Sequence, residues 1–297
     1  MVPKLTHDAD LTVTATIQPV IQPAIMGVLN VTPDSFSDGG RYDTVDAAVA
    51  RARQMLDEGA AIIDVGGEST RPGARPVPVD EELRRVVPVI QALAGTARIS
   101  IDTRRAEVAR AAVAAGATIV NDVGASLAPV AAELGVTWIA MHMQGEPGSM
   151  QHAPRYDDVV SEVRDFLVAR ADEATALGVP EVWIDPGIGF GKTREHNLAL
   201  LGSLDELVAC GRPVIVGVSR KATMGALTAA SDRRAGATAD VVGPLDRLEA
   251  SLATATWAMH QGVAVVRAHD VRPHVHAAAV VAGEIRRSPA MAVTRAG

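Results

Sequence analysis

The chain of 297 residues contains one cysteine, Cys210. A lone thiol excludes an intrachain disulfide and a cysteine-based zinc cluster, and it suits a reducing cytoplasm. Cys210 ends an apolar helical pattern and reads as a packing residue. Aromatic residues are also scarce: three Trp, two Tyr and three Phe, which leaves little with which to stack bases. The formal net charge of −7 argues in the same direction, against a generic nucleic-acid binder. No apolar run is long enough to span a bilayer, which takes about 20 residues. The opening residues carry Lys4, Asp8 and Asp10 among alternating Thr and apolar side chains, unlike the unbroken apolar run of a signal peptide. Neither a nucleic-acid nor a membrane partner is expected, and the chain reads as cytoplasmic.

What is present is a large apolar fraction, 48%, against 21% charged residues, enough for a substantial globular core. Residues 62–71, IIDVGGESTR, show the plan of the whole chain. A short buried strand carries a carboxylate and opens through two glycines onto a polar loop. Similar strands are expected over 25–31, 61–65, 99–102, 118–123, 138–143, 182–185, 214–218 and 263–269. Helical periodicity lies between them at 44–58, 80–93, 105–114, 157–177, 195–208 and 245–260. Gly59, Gly116, Gly135, Gly178, Gly211 and Gly262 follow helical stretches, as left-handed caps do.

Eight near-continuous apolar strands need cover on both faces, which predicts a single-domain α/β protein folded as a closed parallel (β/α)8 barrel. A doubly wound open sheet is the competing arrangement. Residues 1–22 read as an N-terminal extension, 23–287 as the barrel and 288–297 as a tail. The stretch 231–243 is the most loop-like interior segment.

A barrel places its chemistry at the strand C-terminal ends. Those ends carry Asn30 with Asp34, Asp64 with Glu68 to Arg71, Asp102, Asn121 with Asp122, His142 with Gln144, Asp185, Ser219 to Lys221, and Arg267 with His269 and Asp270. Asp102, Asn121 and Asp185 end apolar strands, where unpaired polar groups are costly. A heterocycle presenting N–H donors and a carbonyl would supply their partners. Asn30, Arg71, Arg267 and His269 form a donor set suited to phosphate or diphosphate. Taken singly, each Asp also reads as a cap of the next helix, and His269 as a packed side chain.

Two nucleotide motifs fail on spacing. Gly191-Lys192-Thr193 has Pro186 where a phosphate loop needs its first glycine, and Gly187-Ile188-Gly189 has Lys192 where a dinucleotide fingerprint needs its third. His274 and His276 are two apart on an expected helix and face different ways, so they make no metal pair. No serine stands in a nucleophile elbow.

The segments GVLNVTPDSFSDGG (27–40) and DVGGESTRPG (64–73) resemble the two signatures of bacterial dihydropteroate synthase. The likeness continues through SIDT (100–103), NDV (121–123), MHMQG (141–145), DPGIGFGK (185–192), SRK (219–221) and RAHDV (267–271), in order, over about residues 25–285. It implies a pterin-binding TIM barrel, a transferase that joins 6-hydroxymethyl-7,8-dihydropterin diphosphate to 4-aminobenzoate and releases diphosphate. By that resemblance Asp102, Asn121, Met141, Asp185 and Lys221 hold the pterin. Asn30, Thr70, Arg71, Arg267 and His269 hold the diphosphate, with Asn30 also touching Mg²⁺. Phe36, Pro72, Phe190, Ser219 and Lys221 surround the aminobenzoate. Asn30, Asp34, Arg71, Lys221, Arg267 and His269 are the implied catalytic positions, and a homodimer through late barrel helices is the implied assembly.

This chemistry needs no protein nucleophile, because the electron-rich ring stabilises the charge left when diphosphate departs. It needs charge on the leaving group and a positioned amine. The Gly- and Pro-punctuated segments 37–41 and 66–75 are expected to move when empty and to close over the pterin. The chain departs from its relatives at Gly148, often basic, and at Ala222, often a hydroxyl or larger residue. Two other readings share the barrel. A pterin-binding methyltransferase acting on methyltetrahydrofolate would not require the Asp34 and Thr70–Arg71 loops, and a non-catalytic folate-binding relative would not require Asn30, Lys221, Arg267 and His269.

Overall fold

The computed structural model describes residues 23–32, 44–69, 76–236 and 242–284. Asp34, Phe36, Thr70, Arg71 and Pro72, segment 37–41 and both terminal stretches lie outside the described residues.

Eight strands form one sheet: β1 (Ala24–Asn30), β2 (Ile62–Gly66), β3 (Arg98–Asp102), β4 (Ile119–Asp122), β5 (Thr137–Met141), β6 (Val182–Asp185), β7 (Ile215–Gly217) and β8 (Val265–Ala268). Every paired neighbour is parallel, and β1 pairs with both β2 and β8. The sequence-ordered run from β1 to β6 on one side and β8 to β7 on the other leaves β6 and β7 to meet. They do so through a parallel bridge between Ile184 and Val214, with the Ile184 N–H donating to the Pro213 carbonyl at 3.0 Å. The sheet is therefore a barrel and not a doubly wound open sheet.

Ten helices wrap it among the described residues: α1 (Thr44–Asp57), α2 (Val79–Leu93), α3 (Ala106–Ala115), α4 (Ala128–Leu134), α5 (Val159–Ala176), α6 (Arg194–Gly202), α7 (Leu204–Val208), α8 (Ala222–Arg234), α9 (Leu248–His260) and α10 (Val271–Ala279). The six glycines that follow helical stretches all have positive φ. Two expectations need correction. The single helix expected over 195–208 breaks at Ser203, whose backbone (φ −118°, ψ 30°) leaves the helical region. The loop expected over 231–243 begins later, because α8 continues through Arg234 with its polar last turn facing outward.

Apolar residues fill two layers. One lies between the strands and the helices. The other, inside the barrel, consists of Met26, Ile62, Ile119, Ile139, Trp183, Ile215 and Val265. Below it the Arg98 guanidinium covers the Trp183 ring at 4.9 Å and donates to Thr137 Oγ1 and Glu181 Oε2. Full burial of each such apolar side chain contributes about 1.5–3 kcal/mol, which offsets the charged layer stacked above.

Strand side chains alternate with period two, so the position two residues after each inner apolar residue also faces inward, one layer higher. Five of the seven are Asp64 after Ile62, Asn121 after Ile119, Met141 after Ile139, Asp185 after Trp183 and Arg267 after Val265; the other two are Val28 after Met26 and Gly217 after Ile215. Strand period thus carries the chain from an apolar floor to a polar mouth.

Candidate active site

Arg267 organises the mouth. Its Nε donates to Asp64 Oδ2 at 2.6 Å and one terminal nitrogen donates to Asp102 Oδ2 at 2.8 Å. Asn121 Nδ2 donates to the same Asp64 oxygen at 3.2 Å. Asp64 is fully buried, so the guanidinium is the counter-charge that permits it to remain there. Asp64 Oδ1, Asp102 Oδ1 and Ser100 Oγ are buried without a hydrogen-bond partner among the described residues. Buried polar atoms are normally paired, so these point to ligand or solvent in the mouth. Burial pushes the Asp102 carboxyl up to about 7, with Arg267 opposing and Asp64, Glu82 and Asp122 adding to the rise.

Asn30 ends β1 opposite Gly66. A Cβ on Gly66 would lie 3.7 Å from both Asn30 Oδ1 and Asp102 Oδ2, which puts the amide beside the carboxylate cluster. Met141 pairs in register with Asp185. Asp185 Oδ1 accepts the Gly187 N–H at 2.7 Å, and burial raises its pKa against the pull of Lys221.

Lys221 lies at the β7 end. It donates to the Ile188 carbonyl, and its Nζ sits 4.7 Å from the centre of the Phe190 ring. Burial lowers its pKa to about 8 while Asp185 opposes the fall.

The glycines that mimic nucleotide motifs serve loop packing instead. Gly187, Gly189 and Gly191 all have positive φ. A Cβ on Gly187 would strike the His142 carbonyl, and one on Gly191 the backbone of Gln144. Only glycine lets the loop after β6 lie this close to the loop after β5. Lys192 ties the two together, donating to the carbonyls of Phe190 at 3.0 Å and His142 at 3.2 Å, with His142 Nδ1 2.9 Å from its Nζ. In the sequence Lys192 rules out a dinucleotide fingerprint and ends the DPGIGFGK segment, with no role of its own assigned. The available signal was a lysine closing an apolar, glycine-rich turn just after a strand.

At the ends of β7 and β8 Ser219 Oγ accepts the His269 N–H at 3.2 Å and lies 3.2 Å from His269 Nδ1. Arg51 from α1 donates to the His269 carbonyl at 3.1 Å. The reading of the rim Asp residues as helix caps is not met: Asp185 accepts the Gly187 N–H in its own loop, and Asp122 accepts N–H groups from Gly124, Ser126 and Leu127 in the turn ahead of α4, which has no side-chain cap. Asn30, Asp102, Asn121, Met141, Asp185, Phe190, Ser219, Lys221, Arg267 and His269 all lie at or just beyond the strand C-terminal ends, around one opening.

The profile of the pterin binding enzyme family matches residues 26–269. The dihydropteroate synthase of Mycobacterium leprae (strain TN) is 48% identical over 276 residues, covering 89% of this chain and 94% of the relative. The chain belongs to the dihydropteroate synthases. Two solved members of that family share the fold. The Yersinia pestis enzyme, in a sulfonamide drug complex, is 42% identical with a TM-score of 0.79, covering 88% of this chain and 93% of its own. The Xanthomonas albilineans enzyme, in complex with 7,8-dihydropteroate, is 42% identical with a TM-score of 0.75 and the same coverage. The barrel mouth is thus the part of this chain to compare with the family's ligands.

Proposed function

We propose that the barrel mouth joins 6-hydroxymethyl-7,8-dihydropterin diphosphate to 4-aminobenzoate, giving 7,8-dihydropteroate and diphosphate for folate biosynthesis. The observation that carries this reading is the buried, unpartnered Asp102 Oδ1 in a ring with Asn121 and Asp185. Those acceptors suit the adjacent N–H donors of a pterin, and Met141 supplies an apolar wall beside them. Arg267 and His269, on the β8 end and its loop, suit the diphosphate.

In the reaction the bond from the pterin methylene to diphosphate oxygen breaks. A carbon–nitrogen bond to the arylamine forms, the amine loses a proton and the electron pair leaves with diphosphate. The protein's part is to position both reactants and to meet the charge on the leaving group. Lys221 and Phe190 line the approach to the pterin, with Ser219 beside them, where the aminobenzoate would enter. Thr70, Arg71, Asp34, Phe36 and Pro72 are assigned to the same reaction by family resemblance.

Mg²⁺ is proposed as the metal. Among the described residues no group of three His, Cys, Asp or Glu side chains is placed to hold a metal ion. The fit is therefore to an ion held by Asn30 Oδ1, substrate phosphate oxygens and water, a set that Mg²⁺ accepts. When bound it supplies positive charge to the leaving diphosphate. Sulfonamides are proposed to compete with 4-aminobenzoate. A homodimer through late barrel helices is also proposed, supported by the exposed Trp257 on α9 and Leu227 on α8.

The test is direct. Purified protein given the pterin diphosphate, Mg²⁺ and 4-aminobenzoate should release dihydropteroate and diphosphate in equal amounts. Folded protein without turnover would overturn the reading.

A further inference from the structure

Arg220 stands between Ser219 and Lys221 in a conformation that costs stability. Its φ is +60°, a region that side chains other than glycine, asparagine and aspartate rarely occupy. Its backbone and two of its three guanidinium nitrogens are held. Its N–H donates to Ser251 Oγ at 3.1 Å, and its carbonyl accepts from Arg247 at 2.8 Å. Its guanidinium forks onto Asp270, with Nε to Oδ2 at 3.0 Å and a terminal nitrogen to Oδ1 at 2.6 Å.

A second cost points to the same place. Gly225 sits in the first turns of α8, where glycine is a poor helix former. A Cβ there would strike the Arg247 guanidinium. The helix thus carries a glycine so that Arg247 can pass beneath it to the carbonyls of Arg220 and Val242. Asp270 is anchored too, because His274 Nδ1 contacts its carbonyl at 2.6 Å. Strain of this kind persists only where its surroundings over-determine it, and here Ser251, Arg247 and Asp270 hold the loop that carries Ser219 and Lys221 against the loop that carries His269 just past the end of β8.

We infer that Arg220 and Asp270 form a positioning pair that locks the loop after β7 to the loop after β8, so that Lys221 and His269 meet the substrate as one rigid unit. Neither side chain of the pair is required to touch substrate. The inference rests on the synthase reading and deepens it. A forked guanidinium–carboxylate contact fixes both distance and plane. Small misplacement of reacting groups lowers turnover more than it lowers binding.

The test uses steady-state kinetics and thermal unfolding of the full chain. Arg220→Gly removes the fork but suits the positive φ, so its melting temperature should equal or exceed the wild type's while kcat falls about 10- to 100-fold with a smaller change in KM. Arg220→Lys keeps the charge without the fork and should recover part of kcat. Asp270→Asn should match Arg220→Gly, and the double variant should lose no more than either single one. Wild-type kcat in Arg220→Gly, or multiplicative losses in the double variant, would overturn the pair. Absence of turnover by the wild type would instead sink the synthase reading.

Discussion

Lys192 Nζ lies 2.9 Å from His142 Nδ1, with both residues buried. Burial lowers the Lys192 pKa to about 7 against the pull of Asp185, and below that value the ammonium offers only donors, so the imidazole accepts at Nδ1. Burial and the neighbouring ammonium together push the His142 pKa down to about 3. This contact, with the two carbonyls that Lys192 also serves, holds the loop bearing Ile188 and Phe190 and hence the two contacts made by Lys221.

Lys192→Met should therefore leave three acceptors without their donor, the two on His142 buried and the Phe190 carbonyl part-buried. The expected loss of unfolding free energy in urea is about 2–4 kcal/mol, accompanied by weaker pterin binding because the Phe190 turn loosens. Unchanged stability would show that the lysine is dispensable to the loop pair.

His142 also gives a signed pH dependence. Its ordinary value is 6.5 and its folded value about 3. Between those limits the unfolded chain takes up a proton that the folded chain refuses, so stability is fully present above pH 6.5 and is lost as pH falls toward 3. His142→Gln retains an acceptor for Lys192 and does not titrate. The stability difference, wild type minus variant, should decline as pH drops from 7 to 4 in a series of denaturant titrations. A flat difference would mean that His142 protonates freely in the folded protein.

The barrel was legible because each strand is a short apolar run closed by a polar residue, and because glycine ends so many helices. That Asp64, Asn121, Asp185 and Arg267 sit at strand C-terminal ends was legible too; that they share one inward layer emerges from the strand period once the inner apolar residues are placed. The partners within that layer were not legible. Arg267 and Asp64 are 203 residues apart, and no local spacing encodes which carboxylate a guanidinium will reach. The break at Ser203 was hidden because Leu200, Leu201, Leu204 and Leu207 keep an apolar rhythm across it. The end of α8 was mistaken for loop because Ser231, Asp232 and Arg233 are polar, yet an exposed last turn tolerates them. Gly187, Gly189 and Gly191 were weighed as ligand loops, while their conformational freedom serves packing of one loop on another.

Asp185→Asn isolates one pterin contact. The Gly187 N–H can still find the amide oxygen, so folding should survive. One charged acceptor becomes in part a donor, and pterin affinity should fall about 10- to 100-fold. Isothermal titration with the pterin diphosphate measures it, and wild-type affinity would remove Asp185 from the pocket.

Arg267→Ala and Arg71→Ala should separate two arginines that the sequence places in one donor set. Arg267 neutralises Asp64 and Asp102 inside the mouth, so its loss strands two buried carboxylates and should cost about 3–5 kcal/mol of stability along with most turnover. The sign follows from charge. As pH falls and the Asp102 carboxylate, already raised by burial, protonates, Arg267→Ala should regain stability relative to the wild type. Arg71, three residues after Glu68 in the sequence, is assigned to the leaving group alone by family resemblance. Arg71→Ala should unfold at the wild-type urea midpoint while kcat drops about 10²- to 10³-fold, the usual loss when one charge-stabilising donor is removed. If both variants lose stability equally, Arg71 is structural. If Arg267→Ala loses turnover without stability, its role lies with the diphosphate and the carboxylates do not depend on it.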